Sequence, residues 1–119
     1  MTVALAQMVF DCKDAAALAG FWSTVLARPV DPDANPFFAT IGRSTGDGRP
    51  TLMFLQVPEP KAGKNRLHLD LTSLDWKAEA ARIVALGATQ IAEHEEYGTH
   101  WVTLLDPEGN EFDLGAGIG

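Results

Sequence analysis

The sequence predicts an α+β fold built from two copies of one strand–helix–strand module. Three observations carry that reading. Gln7 stands seven residues before Asp14, and His68 stands seven residues before Asp75. Each Asp opens an amphipathic stretch, from Asp14 to Trp22 in the first half and from Asp75 to Ile83 in the second. Each stretch closes on a leucine and a small residue, Leu26-Ala27 and Leu86-Gly87. A unit restated about half a chain later implies two similar modules. Modules that face each other leave a cleft, and matching strand positions look into it.

The elements follow in order. Val3–Asp11 alternates at the period of a strand, with Ala4, Ala6, Met8 and Phe10 on one face and Val3, Leu5, Gln7 and Val9 on the other. Both faces are largely apolar, so this strand is expected to be covered on both sides. Asp14 reads as an N-cap. Leu18, Phe21, Trp22, Val25 and Leu26 then form one helical stripe, and Pro29 ends it. Phe37–Ile41 and Thr51–Val57 are the next strands, joined through Gly46-Asp47-Gly48 as a hairpin connection. Pro58–Lys64, with two prolines and a glycine, is the linker.

The second half opens on a strand in which Leu67, Leu69 and Leu71 alternate with Arg66, His68, Asp70 and Thr72. Ser73 or Asp75 caps a helix whose stripe is Trp76, Ala80, Ile83 and Val84, and Gly87 supplies its left-handed stop. Thr89–Glu93, Thr99–Leu105 and Glu111–Leu114 read as strands, the last two joined by the tight turn Asp106-Pro-Glu-Gly-Asn110. The 119 residues are thus one domain, with module one over about 1–57, the linker over 58–64 and module two over about 65–115.

A net charge of −7 without any stripe of Lys or Arg disfavours nucleic acid and anionic membranes as partners. The single cysteine, Cys12, forms no internal disulfide, and no basic start precedes the first apolar run, so a cytoplasmic protein is expected.

Four segments together resemble the vicinal oxygen chelate superfamily: Asp14…Phe21-Trp22…Leu26, Arg66-Leu-His68-Leu-Asp70, Ala85-Leu-Gly-Ala88 and Asp106-Pro-Glu-Gly-Asn-Glu-Phe-Asp-Leu114. That superfamily includes glyoxalase I, extradiol dioxygenases, epimerases, and fosfomycin and bleomycin resistance proteins; its short glyoxalase-like branch is the best match. The resemblance implies two βαβββ modules, mainly antiparallel curved sheets, helices on the convex faces and a central cavity. It also implies a homodimer, and metal ligands from the first and last strand of each module. Carried over, those positions are Gln7 and His68 on the first strands and Asp113 on the last strand of module two. In module one the last-strand position is Gln56, with Phe54 as the competing alignment. Strand parity agrees if Phe112 and Leu114 pack on a helix beneath Asp113, Leu67 and Leu69 beneath His68, Ala6 and Met8 beneath Gln7, and Met53 and Leu55 beneath Gln56.

The set of Gln7, Gln56, His68 and Asp113 holds one carboxylate where relatives usually have two, so any divalent metal is expected to bind weakly. His68 and Asp113 are the expected catalytic pair. Gln7, Phe54, Gln56 and Asp70 are expected to contact a small-molecule ligand, with Leu5, Val9 and Leu52 completing apolar walls. Asp70 shares a face with His68 at a strand spacing that does not by itself ensure contact. His94 and His100, among Glu93, Glu95 and Glu96, read as a solvated charged turn; Trp22 and Trp76 read as core. The resulting function is a glyoxalase-like small-molecule enzyme. The rival is a non-catalytic drug- or metabolite-binding protein of the bleomycin-resistance type.

Overall fold

The computed structural model describes residues 2–117, so Met1, Ile118 and Gly119 of the expected 1–119 domain lie outside the described residues. The chain divides into two compact units, Met1–Pro60 and Lys61–Gly119. Among the described residues no helix is long and apolar enough to cross a membrane.

Unit one contains β1 (Gln7–Cys12), α1 (Ala15–Leu26), β2 (Phe38–Ile41) and β3 (Thr51–Gln56). The sheet order is β1-β3-β2, with β1 parallel and β2 antiparallel to β3. Asp14 caps α1, its carboxylate accepting from the Ala17 N–H at 3.1 Å, and Ala27 ends the helix in the left-handed region. The apolar stripe of α1 meets the sheet through aromatic rings. Phe10 lies 5.9 Å from Trp22 and stacks on Phe54 at 5.0 Å. Trp22 and Phe54 are fully buried, and each large side chain removed from water in this way contributes roughly 1.5–3 kcal/mol.

Unit two contains β4 (Leu69–Thr72), α2 (Trp76–Ala85), β5 (Thr89–Glu96), β6 (Thr99–Leu105) and β7 (Glu111–Gly115), a complete βαβββ module. Its order is β4-β7-β6-β5, parallel between β4 and β7 and antiparallel elsewhere. Ile83 on α2 and Phe112 and Leu114 on β7 are buried where the helix packs on the sheet. Asp106 organises the β6–β7 turn by accepting from the N–H groups of Glu108 and Asn110.

Unit one is the abbreviated copy. Val30 makes a single antiparallel bridge to Ile41 where unit two has the whole of β5. Pro29 and Pro32 bracket it, and neither ring nitrogen can donate to a ladder.

Several expectations need correction. The first strand begins at Gln7 rather than Val3, and Val3 and Leu5 are exposed rather than covered. Gln7 pairs with Thr51, and the residue before Thr51 is Pro50, which has no N–H to extend the ladder. Leu5 therefore lines no wall, and Leu52 is core. Leu67 is exposed because β4 begins at Leu69, opposite Phe112. The segment His94–Glu96 is strand, not turn, since β5 pairs with β6 as far as Thr99. On α2, Val84 is 42% exposed, and Trp76 is half-buried against the His100 ring, 4.7 Å away, rather than core. Asp75 makes no side-chain cap; the Ser73 hydroxyl instead accepts the Asp75 N–H at 3.2 Å.

A buried polar cluster pins the loop before β3. Asp31, 8% exposed, accepts from the Thr40 hydroxyl at 2.6 Å and from the N–H groups of Arg43 and Ser44 at 2.9 and 3.1 Å. Nearby, the buried Arg28 guanidinium donates to the Pro50 carbonyl at 2.9 Å. It packs over Gly42, where a Cβ would collide with it and where φ is +86°. Only glycine accommodates both demands.

Burial alone would raise the Asp31 carboxyl, but the Thr40 hydroxyl and the two backbone N–H groups outweigh it and hold the group below its ordinary value. A depressed folded value makes the stabilisation fully present above the unfolded value of 3.8 and lost as pH falls through the folded one. Asp31→Ala is expected to cost about 1.5–3 kcal/mol at neutral pH, the worth of a hydrogen bond to a charged group. Denaturant titrations of both proteins should show this difference shrinking as pH drops below 3.8; a constant difference would reject the assignment.

Candidate functional site

The site grows from the pairing of two short strands. In the β4–β7 ladder Leu69 faces Phe112, Asp70 faces Asp113 and Leu71 faces Leu114. Phe112 and Leu114 point into the core beneath α2, at 1% and 2% exposure. Strand alternation therefore sends Asp70 and Asp113 out of the opposite face, side by side. His68, just ahead of β4, folds back over both. Its Nε2 lies 3.1 Å from Asp70 Oδ1 and 3.3 Å from Asp113 Oδ2. The ligand atoms of the three residues all lie within 4.8 Å of one another.

Asp113 is the fixed member. Its other oxygen, Oδ1, accepts from the Thr103 hydroxyl at 2.6 Å, and its side chain is 19% exposed against 43% for His68 and 48% for Asp70. One ring N–H satisfies only one carboxylate at a time. The other carboxylate is left to solvent or to a bound cation. An imidazole nitrogen with two carboxylates suits zinc, manganese and similar divalent ions.

Of the expected residues, His68, Asp70 and Asp113 come together, with Asp70 in direct contact rather than merely on the same face. In unit one Gln7 follows the expected parity and Gln56 does not. Leu52 and Phe54 are buried at 2% and 0%, on the helix side of β3, which places Gln56 on that side too. Its Nε2 donates to the Lys13 carbonyl at 3.1 Å. Gln7 pairs with Thr51 and lies on the other face, where its Nε2 is 3.6 Å from Met53 Sδ. Gln7 and Gln56 thus emerge from opposite faces of one sheet, and Phe54 is core beneath α1 rather than a ligand contact.

The ladders explain the mismatch. Val9 faces Met53 in unit one as Asp70 faces Asp113 in unit two. The counterpart of Asp113 is therefore Met53, neither Gln56 nor Phe54. A thioether and a valine stand where unit two carries its two carboxylates.

Thr103 escaped the sequence reading, and His94, read as part of a solvated turn, is a residue of β5. Thr103 pairs with Asp113, Trp101 with Gly115 and His94 with Trp101. Trp101 and Thr103 consequently share the face of Asp113. The His94 ring stacks on Trp101 at 5.0 Å and 24°. His100 alternates to the other side, its Nε2 2.6 Å from Glu93 and its ring against Trp76. A countable signal existed for Thr103. The turn at Asp106–Asn110 sets Leu105 opposite Glu111, and stepping back two residues on each strand reaches Thr103 and Asp113.

A family model described as a glyoxalase-like domain matches residues 7–115. No curated protein is close enough in sequence to count as a relative. Among solved structures, a glyoxalase/bleomycin resistance protein/dioxygenase family enzyme from Burkholderia phytofirmans PsJN superposes with a TM-score of 0.79 at 20% identity, over 98% of this chain and 100% of that one. The fosfomycin resistance protein FosX from Listeria monocytogenes, an E126Q mutant complexed with Mn(II) and 1S,2S-dihydroxypropylphosphonic acid, gives 0.77 at 14% identity over 99% and 93%. A lactoylglutathione lyase from Agrobacterium tumefaciens gives 0.67 at 18% identity over 98% and 95%. These likenesses establish the fold.

His68→Ala should change global stability by less than about 1 kcal/mol, since ion pairs this exposed contribute about 0–1 kcal/mol. The packing beneath it is carried by Phe112 and Leu114. A chemical-denaturation midpoint that falls as far as for a Leu114→Ala control would make His68 a structural residue.

Proposed function

This chain belongs to the glyoxalase-like domain family, and we propose that it is a small-molecule enzyme working through a divalent cation held by His68, Asp70 and Asp113. The observation that carries the proposal is the convergence of their ligand atoms within 4.8 Å on one face of one sheet. When bound, such an ion supplies Lewis acidity toward a substrate oxygen. The protein supplies the rest. Thr103 holds Asp113 Oδ1, leaving Oδ2 directed at the His68 imidazole. Asp70, the most exposed of the three, is assigned the proton transfer: its carboxylate takes the proton a substrate hydroxyl gives up and returns it to solvent.

Titration of metal-free protein with Mn(II), followed by electron paramagnetic resonance, should show saturable binding at a single site. His68→Ala and Asp113→Asn should each weaken it about 10–100-fold, the range seen when groups supporting a metal are removed. Gln56→Ala should leave it unchanged, because that amide is engaged with the Lys13 carbonyl. Equal affinity in wild type and His68→Ala would end the proposal.

We further propose a homodimer in a reducing cytoplasm. Both sheets end in strands with an unpaired outer edge among the described residues, β1 in one and β4 and β5 in the other, and such edges favour pairing with another chain. Cys12 is buried, its thiol donating to the Leu55 carbonyl at 3.4 Å. Light scattering should report a mass near twice 12.8 kDa; a monomer at high micromolar concentration would refute the dimer.

A further inference from the structure

The face that carries His68, Asp70 and Asp113 also carries a second row of side chains. Asp70, Asp113, Thr103 and Ala92 lie across the four strands in register, and the next row contains Gly115, Trp101 and His94. Successive rows on one face stand roughly 7 Å apart, two strand residues along. The half-buried Trp101–His94 stack is thus one row from the carboxylate that Thr103 holds. A six-membered ring with an oxygen substituent spans about that distance.

Charge narrows the ligand further. The four strands of unit two contain six acidic residues, Asp70, Glu93, Glu95, Glu96, Glu111 and Asp113, and neither a lysine nor an arginine. A divalent cation on the two aspartates and a neutral imidazole brings the site only to formal neutrality, since +2 and −2 cancel. No surplus positive charge then remains on these strands to receive a phosphate or phosphonate dianion, and Lys61 beside them is already matched to Glu111 at 3.3 Å.

We propose that the ligand of this site is an uncharged, planar aromatic compound bearing a hydroxyl group, its ring laid on the Trp101–His94 pair and its hydroxyl directed to the Asp70–Asp113 carboxylates. The inference rests on the reading of this face as the ligand site. It sets the chain apart from the Listeria protein, whose bound compound is a phosphonic acid. Aromatic rings prefer offset stacking on a surface of this kind, and a saturated ring of the same size forfeits that contribution.

The test is calorimetric titration of the full chain, with and without Mn(II), against 2-naphthol, 2-naphthyl phosphate and decahydro-2-naphthol. The first should bind about tenfold more tightly than either of the others, and Trp101→Leu should remove about that advantage while leaving the Mn(II) affinity intact. Should Trp101→Leu melt early, His94→Leu and the wild-type ranking of the three probes decide. If Mn(II) fails to bind but 2-naphthol binding depends on Trp101, the metal reading falls and this one stands. If Mn(II) binds while 2-naphthol does not, or if the phosphate binds equally well, this one is overturned.

Discussion

Two carboxylates forced side by side by a parallel strand pair are the constraint on which unit two depends. Leu69 and Leu71 on β4, with Phe112 and Leu114 on β7, lock the register because a slip of one residue would carry Asp70 and Asp113 into the core. Like charges directly across a sheet destabilise it. The structure answers with two different devices. Thr103 takes one oxygen of Asp113 with a hydroxyl, and His68 folds back from ahead of the strand to place one nitrogen between the two acids. Hydrophobic packing thus holds an electrostatic conflict in place, and the proposed cation would relieve it.

The two units show how far one architecture can be retained while its chemistry diverges. Each has a parallel first-to-last strand pair, and in each a polar side chain at the start of the first strand reaches the last one. In unit two that contact is His68 to Asp113; in unit one it is Gln7 to Met53. An imidazole beside a carboxylate in one unit corresponds to an amide beside a thioether in the other. Unit one spends its charged groups elsewhere, with Asp31 and Arg28 buried under the loop that precedes β3. Its helix packs through Trp22 on Phe10 of β1, which stacks on Phe54 of β3, while α2 is lighter and more exposed. One unit thus contributes packing and the other the ionisable side chains.

Local signals in the sequence were sound at most places, the Asp75 cap being an exception. The Asp14 cap, the stripe through Leu18 and Trp22, the left-handed stop at Gly87 and the Asp106 turn each depend on residues a few positions apart, and all formed. His68 and Asp113 were legible because each sits between apolar neighbours or within a motif that repeats. Parity failed on β3. There both faces are apolar, so alternation alone does not say whether Leu52 and Phe54 or Met53 and Leu55 go inward. Gln56 was assigned to the wrong face for that reason. The reach of Asp70 was also unreadable, since i and i+2 side chains in a regular strand stand apart; contact arose because His68 lies just outside β4 and is not held to strand geometry.

The sequence by itself determined the repeat and the α+β class, because periodicity, capping and turn chemistry act over a few bonds, and its family resemblance pointed to two residues of the candidate site. Tertiary structure decided which strand residues stand opposite one another. That choice depends on loops of unequal length between paired strands, 42–50 in one unit and 106–110 in the other, and on which face finds a helix to cover it. It set Asp70 against Asp113, Met53 in the place the repeat reserves for a ligand, and Trp101 beside the acids. None of these is encoded in any one segment, since each is a distance between segments that meet only when the sheet closes its ladder.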